Sequence, residues 1–341
     1  MSEYRRINSC FWSPEMQTLT DSFGRTIDYL RISLTDKCNL RCRYCMPPQG
    51  INHIPHQEIL SFEEIVLLVR VLAVLGLKKI RLTGGEPLVR RDIVNLIKLL
   101  KDIPGIEEIC LTTNGLIFSD MASDLKAAGL SRVNISLDTL NEDTFYEITG
   151  SRGVEKVMQS IQTALALGFP VKINCVPTEY NAGELTEIAL LAKENPIDVR
   201  FIELMPIGCA NGMKGLKSDV ILSELESRFG KASHLTAPLH SPESLFHFTN
   251  FAGNIGFISP LSHAFCSDCN RIRLTASGLL KFCLCYDDAL DVKKILRSGE
   301  RATKLEDILK TEIQKAIKEK PEKHIFNQQG LKSHMMTEIG G

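Results

Sequence analysis

Between residues 27 and 205 the chain alternates, again and again, between two kinds of segment, and this constrains its fold more than anything else in the sequence. TIDYLRISL, KKIRLTGG, IEEICLTTNG, RVNISLD, VKINCVPT and DVRFIELMP are apolar, β-branched and strand-like. SFEEIVLLVRVLAVLG and PLVRRDIVNLIKLLKDIPG have helical periodicity, as do stretches near 117–129, 153–168 and 182–194. Ser61 and Glu64 fit a capping box, and Gly76 is placed to end that helix in a left-handed conformation. Pro87 stands near the first position of the next helix, with apolar Ile93, Leu96, Ile97 and Leu100 behind it. Strands alternating with helices imply a parallel sheet with helices packed outside. About six such units predict an α/β fold, a partial (β/α)6 TIM-like barrel, although an open doubly wound sheet gives the same pattern. In either case the loops after the strand C-terminal ends form the functional face. CNLRCRYC, GGEP, TTNG, SLD and the residues after Glu203 all fall there.

After about residue 218 the pattern changes to a helix (218–229), short strands and turns (245–283) and a Lys/Glu-rich helix (303–319). This predicts a C-terminal α+β extension that closes one end of the barrel. The expected organisation is a variable N-terminal extension (1–20), a barrel (21–217) and a C-terminal region (218–341). The charged stretch from Lys293 to Lys323 reads as a solvated helix face.

Composition narrows the function classes. With 40 basic and 41 acidic residues the net charge is -1, which argues against a nucleic-acid coat or a polybasic membrane arm. The N-terminus, MSEYRRINSCFWSPEMQ, has no apolar h-region, so no secretory signal is expected. The most apolar run, Ile65 to Leu77, contains Arg70 and is too short to span a bilayer. These features point to a cytoplasmic chain. In a reducing compartment, 11 cysteines that fall in groups more often bind metal or do chemistry than form disulfides.

Two cysteine groups stand out. Cys38, Cys42 and Cys45 form C-x3-C-x2-C just after a strand. Cys266 and Cys269 are spaced C-x2-C, and Cys283 follows. A [4Fe–4S] cluster normally takes four thiolates, so three leave one iron open to another ligand. A zinc knuckle completed by His53 or His56 is the alternative for the first group. Cys285 is a candidate fourth ligand for the second, although on a strand it would face away from Cys283. Cys110 and Cys175 sit in strands and read as buried apolar residues, whereas Cys209 lies on a loop near the functional face.

The first triad resembles the radical S-adenosylmethionine (SAM) superfamily. The resemblance implies a [4Fe–4S] cluster on Cys38, Cys42 and Cys45, with SAM on the open iron and cleaved to a 5′-deoxyadenosyl radical. It also implies SAM contacts at Tyr44, Gly85 in TGGEP, Ser136 in NISLD and Met205 in FIELMP. LRISLTDKC, KKIRLTGGEPLVRRD, LTTNG, RFIELMPIG, CNRIRLTASG and the terminal Gly-Gly narrow the resemblance, over roughly residues 21 to 341, to the GTP 3′,8-cyclases of molybdenum-cofactor biosynthesis.

That family resemblance implies a second [4Fe–4S] cluster on Cys266, Cys269 and Cys283, binding the guanine end of GTP. It implies hydrogen abstraction at C3′ of the ribose and attack of C3′ on C8. Implied GTP contacts are Arg31, Arg81, Thr112, Lys172, Arg271, Ile272 and Arg273, with Lys79 and Arg200 as further candidates. On a strand, Arg271 and Arg273 share one face. Gly340 and Gly341 are implied to reach into the cavity and assist radical initiation. An electron donor protein, a downstream cyclic pyranopterin monophosphate synthase and a homodimer are the implied partners. The competing readings are a radical SAM enzyme acting on a peptide or other small molecule, and a non-catalytic, metal-stapled protein.

Overall fold

A computed structural model describes residues 18–326 and 336. The predicted alternation is present as β1 (Tyr29–Ser33), α1 (Phe62–Val74), β2 (Lys79–Thr83), α2 (Ile93–Lys101), β3 (Glu108–Thr113), α3 (Phe118–Ala127) and β4 (Arg132–Ser136). It continues with α4 (Glu142–Thr149), α5 (Val154–Ala166), β5 (Val171–Cys175), α6 (Leu185–Glu194) and β6 (Asp198–Ile202). β1 to β6 lie side by side in chain order, and every pair is parallel.

Local chemistry explains the helix boundaries. The Ser61 hydroxyl accepts from the Glu64 amide and the Glu64 carboxylate accepts from the Ser61 amide, a capping box worth about 1 kcal/mol. Gly76 follows α1 at φ 97°, as its position predicted. The apolar run in α1 is core, with Ile65, Leu68, Val69 and Leu72 all buried. The next helix starts later than the sequence implied. Pro87 opens only a short 3-10 turn, and α2 begins at Ile93 after Asp92 at φ 60°. The Arg90 guanidinium donates to the carbonyls of Leu34 and Leu60, which draws the chain out of a helical path there.

The C-terminal part extends the sheet at both edges. It contributes α7 (Ser218–Phe229), β7 (Ser233–Leu235), β8 (Ser244–His247), β9 (Asn254–Ile258), β10 (Arg271–Leu274), β11 (Leu279–Lys281) and β12 (Ala289–Asp291). α8 (Val292–Leu296) and α9 (Ala302–Ile317) follow. β9 pairs parallel with β6, and β10 pairs parallel with β1. The central parallel row is therefore β10-β1-β2-β3-β4-β5-β6-β9, flanked by antiparallel β11-β12 and β8-β7. This row does not close, yet residues from both its ends line one cavity, so the sheet curves around it as a partial barrel.

The helices cover the outside. α9 buries Leu305, Leu309, Ile313 and Ile317 at four-residue spacing and turns its charges to solvent, as the sequence implied, whereas Lys320, in the same charged stretch just beyond it, is buried. Residues 18–20, assigned from sequence to a variable extension, belong to the body: Leu19 is buried and its amide donates to the Leu75 carbonyl. Among the described residues no helix is long and apolar enough to cross a membrane.

Candidate active site

Strand alternation builds the inner wall. Leu30, Ile32, Ile80, Leu82, Ile109, Leu111, Val133 and Ile135 face the helices and are fully buried. Of the residues that alternate with them, Arg31, Arg81, Thr112 and Asn134 face a cavity of about 660 Å³. In register across three strands, Arg273 on β10 sits beside Arg31 on β1, which sits beside Arg81 on β2. One step lower, Arg271 aligns with Tyr29 and Lys79. On the other side Thr112, Asn134 and Lys172 form a further row. All of these residues, together with Arg200, line the cavity. Ile272 does not. Its side chain alternates to the outer face and is fully buried, so any nucleotide contact there falls to its backbone.

The cationic wall is under electrostatic load. Burial, together with the neighbouring guanidiniums of Arg273, Arg81 and Arg271, pushes Arg31 well below its ordinary range. Burial, then Arg271, brings Arg273 down to about 10, and burial, partly offset by Glu243, does the same for Arg200. Arg81 donates to Thr112 at 3.2 Å and to the Tyr29 hydroxyl. Lys172 is held by Glu243 at 2.6 Å and Asp198 at 3.0 Å, and Lys79 lies 3.8 Å from Glu108. Glu243, which also faces Arg200 at 3.7 Å, was not singled out from the sequence.

The first triad lies beyond the C-terminal end of β1. Cys38, Cys42 and Cys45 all line the cavity. A tight turn brings the Cys45 amide to the Cys42 carbonyl at 2.9 Å. The loop is docked on α4, a helix the sequence reading missed: the Arg41 and Arg43 amides donate to the carbonyls of Thr149 and Ile148. Asn141, whose side chain caps α4, and Gly150, which ends it at φ 72°, were the available signals. Burial pushes the Cys38, Cys42 and Cys45 thiols up, and Cys42 and Cys45 are raised further by neighbouring cysteines. Left alone the three would stay protonated; a cluster that binds thiolates would supply the missing positive charge.

TGGEP packs against this loop. A Cβ on Gly85 would lie 2.3 Å from the Lys37 carbonyl oxygen, and one on Gly84 2.6 Å from that of Thr35. The Gly85 and Glu86 amides donate to the Thr35 and Lys37 carbonyls at 2.7 and 2.8 Å. Glycine is needed here for the close approach of two loops.

Two carboxyls join the loops. Glu86 accepts from Leu88, Thr113 and Asn114, and Asp138 accepts from the Tyr44 hydroxyl at 2.6 Å and from the Val176 amide at 2.8 Å. Burial raises Glu86 to about 7 and Asp138 to about 6, against their hydrogen bonds. The folded chain therefore keeps a proton on Glu86 that the unfolded chain releases above its ordinary 4.5, so stability falls as pH rises from about 4.5 to about 7. Glu86→Gln is expected to flatten that part of the profile relative to the parent, measured by denaturant unfolding at about pH 5 and about pH 8.

The second triad lies at the opposite end of the barrel. Cys269 lies two residues before the start of β10, which runs parallel to β1, and Cys283 follows β11, which runs antiparallel to β10. Both therefore sit at the N-terminal end of the parallel row, whereas Cys38 follows its C-terminal end. At about 3.3 Å per residue, a five-residue strand alone separates these ends by roughly 13 Å. Cys266, Cys269 and Cys283 line the cavity, and so does Cys285. Cys285 is not on a strand: β11 ends at Lys281, the chain turns irregularly, and the Cys285 thiol donates to Cys283.

Among the described residues no set of three or more His, Cys, Asp or Glu side chains converges closely enough to hold a single metal ion. His53 is engaged by Asp36 at 2.9 Å rather than directed to the triad. Each triad instead sets three thiols along one cavity, the donor chemistry of a four-iron cluster with one open iron. Ser136 and Met205 line the first-triad side of the cavity, and Cys110 and Cys175 are buried as expected. Gly340 and Gly341 lie outside the described residues. Met336, a few positions before them, lines the cavity.

Comparison with known proteins agrees with this architecture. Residues 32–192 match the Radical SAM superfamily model and residues 197–326 match Molybdenum Cofactor Synthesis C. The fold is shared with Streptococcus suis SuiB bound to precursor peptide SuiA, at a TM-score of 0.60 and 15% identity over 91% of this chain and 75% of that one. Fold and site together define a radical SAM protein. GTP 3′,8-cyclase of Clostridium perfringens (strain 13) is 47% identical over 95% of this chain and 100% of that protein. The corresponding protein of Moorella thermoacetica is 45% identical over the same shares, and that of Listeria monocytogenes 42% over 91% and 92%. The chain belongs to the GTP 3′,8-cyclase family.

Proposed function

We propose that this cavity holds GTP between two [4Fe–4S] clusters and that the chain catalyses the 3′,8-cyclisation of GTP, an early step of molybdopterin cofactor biosynthesis. One observation carries the reading: a row of guanidiniums, Arg273–Arg31–Arg81, lies on the inner wall between two thiol triads at opposite barrel ends.

Cys38, Cys42 and Cys45 would hold one cluster, with Tyr44, Gly85, Ser136 and Met205 around SAM. Cys266, Cys269 and Cys283 would hold the other. Bound there, these groups would supply one-electron chemistry for removal of the C3′ hydrogen as an atom, and one further electron with a proton would complete closure of C3′ on C8 of the same guanine. The protein's part is binding and orientation. Arg31, Arg81, Arg271 and Arg273 bind triphosphate oxygens through charge-assisted hydrogen bonds of about 1.5–3 kcal/mol each. Thr112 adds a hydroxyl on the same wall. Lys172 and Arg200 engage phosphate by exchange of the Glu243 carboxylate, and Lys79 by exchange of Glu108. The burial of the wall keeps water from competing for these cations.

Met336 on the cavity wall supports the reading that Gly340 and Gly341 enter the site and assist initiation. The reading carries with it an electron donor protein, a following synthase that consumes the cyclised nucleotide, and a homodimer. The test is anaerobic reconstitution followed by addition of SAM, GTP and a strong reductant. The expected result is about eight irons per chain, with 5′-deoxyadenosine and a cyclised GTP. Zinc in place of iron would sink the reading, and SAM cleavage without GTP consumption would point to another substrate.

A further inference from the structure

Lys320 is an unusual lysine. It follows α9, 51 residues beyond Cys269, and is only 3% exposed. Its ammonium donates to the Phe282 carbonyl at 2.5 Å, to the Arg271 carbonyl at 3.0 Å and to Cys269 Sγ at 3.7 Å. An ammonium has three hydrogens, and these three acceptors take them. Among the described residues no Asp or Glu forms a salt bridge with it. Its surroundings add further positive charge, since Arg271 and Arg273 face the same cavity. A buried cation without a counter-charge is costly, so the arrangement calls for an anion beside it.

The acceptors say where that anion belongs. Phe282 directly precedes Cys283, and Arg271 opens β10 just after Cys269. One side chain thus ties the segments bearing two of the three second-triad thiols, and touches the sulfur of one of them. Resting on the reading of that triad as cluster ligands, we propose that Lys320 is a positioning residue of the second cluster. It clamps the Cys269 and Cys283 segments and donates an N–H···S hydrogen bond to Cys269. A cation bonded to a ligand sulfur favours the reduced, more negative cluster, because hydrogen bonds to sulfur and local charge set the potential of such groups. Lys320 therefore shifts the second cluster toward reduction.

The test uses the full chain with Cys38, Cys42 and Cys45 all replaced by alanine, so that the second cluster gives the only signal. Its midpoint is measured by redox titration with electron paramagnetic resonance, and its iron content by assay. Lys320→Met is expected to disfavour reduction about tenfold, which for one electron is about 59 mV toward negative potential. Lys320→Arg, which keeps the charge, is expected to recover most of the shift. Full iron content with an unmoved midpoint in Lys320→Met overturns the proposal. If Lys320→Met holds no cluster while Lys320→Arg does, the clamp is supported. Loss of the cluster in both overturns the assignment, because a retained cation has then not sufficed. If the parent with native Lys320 binds no iron, the failure lies with the cluster reading of the second triad.

Discussion

Replacing Cys269 with alanine is expected to leave reductive SAM cleavage in place and to end consumption of GTP. The two triads stand at opposite ends of the barrel, so damage to one need not reach the other. The first is held by the loop after β1, the glycine turn after β2 and α4; the second by β10, β11 and Lys320. Iron should fall from about eight to about four per chain, with 5′-deoxyadenosine still formed from SAM and dithionite. Cys42→Ala should give the complementary result: about four irons remain, but no 5′-deoxyadenosine appears. Loss of both activities together, with all iron, in a chain that remains folded by circular dichroism would contradict two independent sites.

The second large effect is expected at Arg31. It occupies the middle of the cationic row, flanked by Arg273 and Arg81. Losing its charge-assisted contacts should cost about 1.5–3 kcal/mol of GTP binding, roughly a 10- to 150-fold rise in Kd. Burial and its guanidinium neighbours already disfavour the charged form of Arg31. Arg31→Ala is therefore expected to lose affinity without a matching loss of thermal stability. Equilibrium dialysis with labelled GTP, beside thermal unfolding of the same protein, checks both halves. An unchanged Kd would remove Arg31 from the site.

Much of this site was legible in the sequence because it depends on local patterns. The triad spacings, the glycine turn and the period-2 polar positions in YLRIS, KIRLT and RIRL are short-range features. Alternation alone put Arg271 and Arg273 on one face and, read consistently, would have put Ile272 on the other. Helix α4 was missed because its eight residues, EDTFYEIT, offer few apolar positions to set a period. What could not be read depends on register between distant segments. Nothing near Arg31 announces Arg273, because β10 reaches β1 only by adding to the edge of the sheet. The same pairing sends the second triad to the far end of the barrel. Lys320 and Glu243 were likewise invisible. Each is an ordinary charged residue until the fold brings it against Cys269 or Lys172. The irregular turn after Lys281, which brings Cys285 to Cys283, follows from where β11 stops, and that is set by its partners.

The central claim is that the cavity holds GTP with C3′ presented to a radical generated at the first triad. GTP deuterated at C3′, given to the reconstituted protein with SAM and reductant, tests it most directly. The 5′-deoxyadenosine recovered should carry one deuterium, read by mass spectrometry in step with formation of the cyclised nucleotide. Cyclised product accompanied by unlabelled 5′-deoxyadenosine, or labelled GTP returned unchanged while SAM is consumed, would contradict the account.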